Sequence, residues 1–268
     1  MSLRINTNIE AFDAHRQLAA TDDMIAHSME RLSSGKRINR AADDAAGLAI
    51  TEKLQGQVTG LEQAQRNAQD AVSLVQTAEG SLQEVHSMLQ RVRELAVEYQ
   101  NGTLSTSDRA AIQSEVNMLA SEIERIGESA QFNGISLLSS QATITFQVGA
   151  MDGEVISVTM ISLGQGVGPG VFNFAAGGQL ISQIDAAIDN VSAERSQFGA
   201  VENRLSDTLS NLAIYDENLQ SSESRISDVD MASEMSNFTK LQILEQSGTA
   251  MLAQANQLPQ TVLQLLKG

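Results

Sequence analysis

The residues that could do chemistry are few, and they do not gather. The three histidines, His15, His27 and His86, stand in no HExxH spacing and the chain has no Cys, so neither a zinc protease nor a Cys–His nucleophile pair has its parts. Disulfide frameworks are excluded for the same reason. Asp43 with Asp44, and Glu122 with Glu124, are acidic pairs. Side chains one or two positions apart on a helix point in different directions and cannot share a proton or a substrate. The run GQGVGPG, with Gly164, Gly166, Gly168, Pro169 and Gly170, invites comparison with a phosphate cradle, but it lacks GxGxxG spacing and a following Lys-Ser/Thr. It reads as a flexible turn. His86 falls next to Val85 toward the outside of a helix and is expected to be solvated; the ten methionines are expected to fill core gaps. These residues predict no catalytic site, no cofactor and no metal, and therefore no enzyme.

Charge narrows the partners. The 268 residues carry 33 acids against 17 bases, a net charge of -16, which argues against binding a nucleic acid because phosphate neutralisation needs a basic stripe. That charge is uneven: residues 57–225 carry -13, and the two ends, 1–56 and 226–268, carry only -3 together. From Gln246 to Leu266 no residue is charged, yet the stretch is too rich in Gln, Asn, Ser and Thr for a membrane span. It reads as a helix with protein on most sides. The start, MSLRINTNIEAFDAHRQL, has no continuous apolar run and contains Glu10 and Asp13, so no ordinary cleavable secretory signal is expected there.

The elements follow from periodicity. From Leu61 the apolar positions run Ala64, Ala68, Ala71, Val75, Ala78, Leu82, Val85, Leu89, Val92, Ala96 and Tyr99 in alternating steps of three and four, which is a coiled-coil seam. Such a helix would be about 60 Å long, and Asn101-Gly102 should stop it. Ser105 and Asp108 then have capping-box spacing, ahead of a seam at Ile112, Val116, Leu119, Ile123 and Ile126 that Gly127 should close. A third seam runs from Leu180 through Ile184, Ala187, Val191, Glu194, Phe198, Val201, Leu205, Thr208, Leu212 and Tyr215 to Val229. Three long helices with one narrow stripe each must pack along one another. With 3% aromatic residues the chain suits long thin packing better than a thick globular core.

Both ends are helical as well. Ile5, Ile9, Phe12, Leu18, Ile25, Met29 and Leu32 have helical spacing, and Leu241, Leu244, Gly248, Met251, Ala255, Leu258, Val262 and Leu265 alternate by three and four. Ile243, Ala250, Leu252, Leu263 and Leu266 lie beside the second set and widen the apolar surface beyond what one partner helix covers. Pro259 should bend this helix rather than end it. Between the long helices, alternation at Ile144, Phe146 and Val148, a turn at Asp152-Gly153, and resumption at Ile156 and Val158 predict a β-hairpin.

Six stretches that this reading reaches resemble bacterial flagellin. They are MSLRINTNIEAF, LSSGKRINRAADDAAGLAI (Leu32–Ile50), LQRVRELAVE (Leu89–Glu98), QFNGISLL (Gln131–Leu138), ISDVDMASEM (Ile226–Met235) and QANQLPQTVLQLL (Gln254–Leu266), in that order along nearly the whole chain. Between about Gln141 and Gly178 only a hairpin and a Gly-rich turn remain, so the resemblance is to a short, core-only form without large outer domains.

The resemblance implies a mainly α fold, an antiparallel coiled-coil rod with a small β-hairpin region and discontinuous domains built from both chain ends. Residues 1–32 with 230–268 would form a terminal inner-tube domain, 33–56 a connector, 57–140 with 179–229 the helical rod, and 141–178 a minimal variable region. In the connector, Lys36, Arg37 and Arg40 would pair with Asp43, Asp44 or neighbouring acids. The implied function is a structural subunit that self-assembles into the flagellar filament for motility, secreted and extracellular, with terminal helices that order on polymerisation. A hook-filament junction protein is the alternative, and the QANQLPQTVLQLL ending favours flagellin. The implied polymerisation residues are Ile5, Ile9, Phe12, Leu244, Met251, Leu258, Val262 and Leu265. Partners would be many copies of the chain, an export chaperone, hook-junction and cap proteins, and a host flagellin-sensing Toll-like receptor, with no membrane insertion. Gln90, Arg91 and Leu95 with Glu115 match the receptor-contact motif, and Arg91, Leu95 and Glu115 fall off the seam, where an exposed patch is expected.

Overall fold

The structure, a computed structural model, describes residues 8–163, 172, 174 and 180–267, the side chains of 180 and 258–267 excepted. Its elements are α1 (Ile9–Ser34), α2 (Ala45–Tyr99), α3 (Thr106–Ser129), β1 (Gln131–Phe132), β2 (Ile135–Ser136), β3 (Thr143–Gln147), β4 (Val155–Thr159), α4 (Leu180–Ser227) and α5 (Met231–Lys267). The chain divides into two compact units: Met1–Gly56 with Leu219–Gly268, and Gln57–Asn218. The fold is mainly α, as the resemblance implied, with two antiparallel strand pairs among the described residues. The Gly-rich run 164–170 lies outside the described residues.

In the second unit the seams become one core. Leu82, Val85, Leu89 and Val92 of α2, Val116 and Ile123 of α3, and Ile184, Val191, Phe198 and Leu205 of α4 are buried together. Polar bridges fix the direction of packing. Gln76 donates to Glu202 at 2.7 Å, Arg195 pairs with Glu79 at 3.0 Å and Arg93 with Asp185 at 2.6 Å, so numbers rise along α2 as they fall along α4. The two helices are antiparallel. Between α2 and α3 the turn is closed by the expected capping box: Ser105 accepts from Asp108 N and Asp108 accepts from Ser105 N. α3 runs two residues past Gly127, which packs at ordinary distance against Leu163.

The expected hairpin is β3–β4, with Ile144 opposite Val158 and Phe146 opposite Ile156. Its inner face buries Ile156 and Val158, and its outer face exposes Thr143, Thr145, Ser157 and Thr159. The Asn67 amide donates to Gln147 O at 3.0 Å and holds it to α2. A second, smaller hairpin, β1–β2, was not expected. Its turn is Asn133-Gly134, both with positive φ (49° and 79°), the dipeptide that a two-residue hairpin turn requires.

Two seam positions of α4 differ from expectation or carry a cost. Beyond Leu212 the buried face passes through Asp216 rather than Tyr215, which is 66% exposed. A step of four replaces the assumed step of three, and the apolar residue is left outside. Glu194 does occupy the seam; its Oε2 is buried with no hydrogen-bond partner, and burial raises its pKa above the ordinary carboxyl value. A raised folded pKa means that the folded chain holds this proton more tightly than the unfolded chain. The stabilising share is therefore complete below the ordinary glutamate pKa and is lost as pH rises through the raised one. Glu194→Gln is expected to raise the denaturation midpoint at pH 7 and to flatten its pH dependence just above the ordinary range. Parallel pH profiles for the two proteins would contradict this.

Candidate functional site

The candidate catalytic groups take structural roles. Asp43 accepts from the backbone N–H of Asn39 and of Arg40, bonds that lower its pKa, and Asp44 accepts from Gly47 N at 2.9 Å. A Cβ at Gly47, in the first turn of α2, would collide with the Asp44 carboxylate and with Ile38, so only glycine fits there. Glu122 is held by Arg125. Among the described residues no group of three or more His, Cys, Asp or Glu is arranged to hold a metal. His86 is half-buried, not solvated: Nε2 bonds the Gln90 amide at 2.9 Å and Nδ1 is buried. Of the connector cations, Arg40 meets a neighbouring acid, Glu30, at 2.8 Å, as expected, whereas Arg37 donates to the carbonyl of Ile226; Asp43 is met at 3.8 Å by Arg31 of α1.

What the first unit does present is apolar surface. α1 and α5 run antiparallel, tied at one end by the Asn8 amide donating to Ala255 O at 2.8 Å and at the other by Ser28 Oγ donating to Glu234. Asn8 also caps α1 by accepting from Ala11 N. The buried or half-buried face of α1 is Ala11, Ala14, Leu18, Thr21, Ile25, Ser28 and Leu32; that of α5 is Glu234, Phe238, Leu241, Glu245, Gly248, Leu252 and Ala255. Both step by three and four, yet the residues are largely small or polar. Thr21 satisfies its hydroxyl within its own helix, on Gln17 O. Gly248 lets Leu18 in: a Cβ there would lie 3.3 Å from Leu18 Cδ1.

The large apolar side chains point elsewhere. On α5 the buried face takes Glu245 and Leu252, one position on from Leu244 and Met251, so the latter two flank the seam and stay exposed. Phe12 is 70% exposed and Met251 65%; Ile9, Leu244, Met24, Met29, Met231, Met235 and Ile243 are exposed as well. Of the implied polymerisation residues, Ile9, Phe12, Leu244 and Met251 thus share the open surface of one helix pair. Ile5 lies outside the described residues; Leu258, Val262 and Leu265 lie on α5, which continues through Pro259, with their side chains outside. Burying a side chain of this size contributes about 1.5–3 kcal/mol. Large apolar side chains left exposed in such number are candidates for contact with a partner.

A smaller polar surface lies in the second unit. Arg91 of α2 donates to Glu94 at 3.0 Å and, through Nε and Nη2, to Glu115 of α3 at 3.2 and 3.1 Å; these bonds, Glu94 first, raise its pKa further. Gln90 is exposed beside it. Leu95 does not join them. It is 2% exposed and belongs to the core, which corrects the expectation of an exposed Leu next to Arg91. α2 has α3 on one side and α4 on the other, so its buried arc is wider than a single seam. Leu95 beside Ala96, like Leu74 beside Val75, falls within that arc.

Similarity to known proteins extends over nearly the whole chain. Residues 5–143 match the family model for the bacterial flagellin N-terminal helical region, and residues 181–266 match that for the bacterial flagellin C-terminal helical region. The chain is 49% identical to a flagellin of Halalkalibacterium halodurans, covering 98% of this chain and 99% of that protein. It is 44% identical to a flagellin of Bacillus subtilis, over 99% and 100%. Identity to a flagellar filament 33 kDa core protein of Treponema phagedenis is 45%, over 98% and 99%. The crystal structure of Bacillus cereus flagellin is similar with a TM-score of 0.48 and 29% identity, covering 55% of this chain and 88% of that one.

Proposed function

The chain belongs to the bacterial flagellin family and is a structural subunit that self-assembles into the extracellular flagellar filament, and we propose that the α1–α5 pair is where neighbouring copies bind. One observation supports this most: the seam of the pair mixes small and polar residues with Leu18, Ile25, Leu32, Phe238, Leu241 and Leu252, and it leaves Ile9, Phe12, Leu244 and Met251 uncovered. Such a pair gains more from neighbours than from itself, so its ordering is coupled to assembly, with the entropy of ordering offset by burial against other copies. Contacts that are head-to-tail and do not close on themselves produce an open helix, which a filament requires. Residues 1–32 with 230–268 form the inner tube in this reading, 33–56 the connector, 57–140 with 179–229 the surrounding wall, and 141–178 the minimal outer region. An export chaperone, hook-junction proteins and a cap serve the same subunit. Electron microscopy of the purified chain under polymerising conditions, with and without Gln254–Gly268, is the test.

A second reading concerns the Arg91 surface. Glu94 and Glu115 hold the guanidinium in one place, half exposed, with Gln90 alongside. A fixed arginine is a good anchor for a protein partner, and this is the surface we assign to the host Toll-like receptor, with Leu95 supporting it from the core. Arg91→Ala is expected to lower reporter activation by monomer about tenfold or more, within the range of an interface anchor. Activation equal to that of the unaltered chain would remove the assignment.

A further inference from the structure

Helix pairs with poor seams need help to start, because the first turns fix many dihedral angles for little burial. The end of the α1–α5 pair where α1 finishes and α5 begins holds such help. Gly35, the residue after α1, has φ 71° and ends the helix by donating to Arg31 O. The chain then crosses the break between α4 and α5 as a short antiparallel bridge, Lys36 opposite Asp228. Arg37 N donates to Ser227 O at 2.6 Å, Val229 N donates to Gly35 O at 3.0 Å, and the Arg37 guanidinium donates to Ile226 O at 2.6 Å. Ser227 and Ile38 are buried there. On one side Asp43 closes the following turn and pairs with Arg31 of α1; on the other Asp230 caps α5 by accepting from Ala232 N and Ser233 N.

We propose that this crossing is the nucleus from which α1 and α5 zip together, and that it fixes their register. The proposal rests on the reading that the α1–α5 pair is the assembling part. Once the crossing is closed, the Ser28–Glu234 contact closes a loop of only about a dozen residues counted through it, and closure cost grows with loop length. Each later seam contact, Ile25, Thr21 and Leu18 against α5, then extends an existing pair. With the crossing open, the same first contact joins segments tethered only through the rest of the chain.

The test uses the full chain, measuring elongation from filament seeds by light scattering. Gly35→Val puts a β-branched side chain at a left-handed φ and is expected to slow elongation roughly tenfold. Lys36 and Asp228 are directly opposed, so Lys36→Cys with Asp228→Cys is placed for a disulfide, and the native chain has no Cys to compete. In the Gly35→Val background that disulfide, once oxidised, is expected to restore elongation to within about twofold of the unaltered chain, and reduction to abolish the rescue. Unaltered elongation by Gly35→Val, or a disulfide that rescues nothing, overturns the nucleus. A chain without Gln254–Gly268 that elongates normally overturns the underlying reading instead; loss of elongation there with a neutral Gly35→Val removes the nucleus alone.

Discussion

A chain that ends at Ala253 is expected to fold its second unit and form no filaments. Removing Gln254–Gly268 takes away Leu258, Val262, Leu263, Leu265 and Leu266, all in the uncharged stretch, together with Ala255, whose buried carbonyl accepts from Asn8. If only two of the five large side chains are buried against neighbours, about 3 kcal/mol or more is lost per subunit. Every 1.4 kcal/mol is tenfold in an equilibrium constant, so the critical concentration rises at least about a hundredfold. Sedimentation and electron microscopy read the polymer, and far-UV circular dichroism reads the helices that remain. Long filaments from the truncated chain, under conditions where the full chain polymerises, would sink the assignment of α5. A soluble coiled-coil adaptor would form no filaments in either form and would keep its partner after the truncation, because its partner surface would lie on the long helices and not at the end.

The same contrast explains what could be read from the sequence. In the second unit the seams are written in Leu, Val, Ile and Ala, so steps of three and four locate the core of α2, α3 and α4 almost residue by residue. In the first unit more than half of the α1 and α5 seam positions are Gly, Ala, Ser, Thr or Glu. The α2 seam continues back through Val58, Leu54 and Thr51 to Gly47 in the same rhythm, and the α1 seam passes through Thr21 and Ser28. An apolar pattern cannot reveal stripes made of such residues. On α5 the opposite difficulty arises: apolar residues surround the helix, and both 244/251 and 245/252 satisfy the spacing with Leu241 and Gly248. Only the position of α1 decides between them. Leu95 was misplaced because a seam describes one partner and α2 has two. Asn133-Gly134 carries a hairpin signal of its own within the stretch Gln131–Leu138. The crossing of 35–37 with 227–229 is made mostly by backbone groups, with the Arg37 guanidinium as the one side chain bonded across it, and no apolar pattern marks it.

Replacing Phe198 by Ala is expected to cost about 3–5 kcal/mol, among the largest single-residue losses in the second unit. Phe198 is 1% exposed and lies at the middle of the α4 series Ile184, Val191, Phe198, Leu205 and Leu212, spaced by seven. The Arg195–Glu79 and Gln76–Glu202 bridges bracket it and place it level with Ala78 of α2, a fully buried small residue. A large side chain opposite a small one is how two close helices fill the space between them. With Phe198→Ala an alanine faces an alanine, and helices held at many other levels cannot close the gap locally. Breaking the Arg93–Asp185 pair costs far less, about 0–1 kcal/mol, since both side chains are nearly half exposed. Urea unfolding followed by circular dichroism separates the two: a large fall in midpoint for Phe198→Ala at unchanged slope, and almost none for Arg93→Ala. Ala78→Leu added to Phe198→Ala should recover part of the loss if the two positions fill one space. Equal midpoints for Phe198→Ala and Arg93→Ala would mean that charge, and not the seam, holds these helices together.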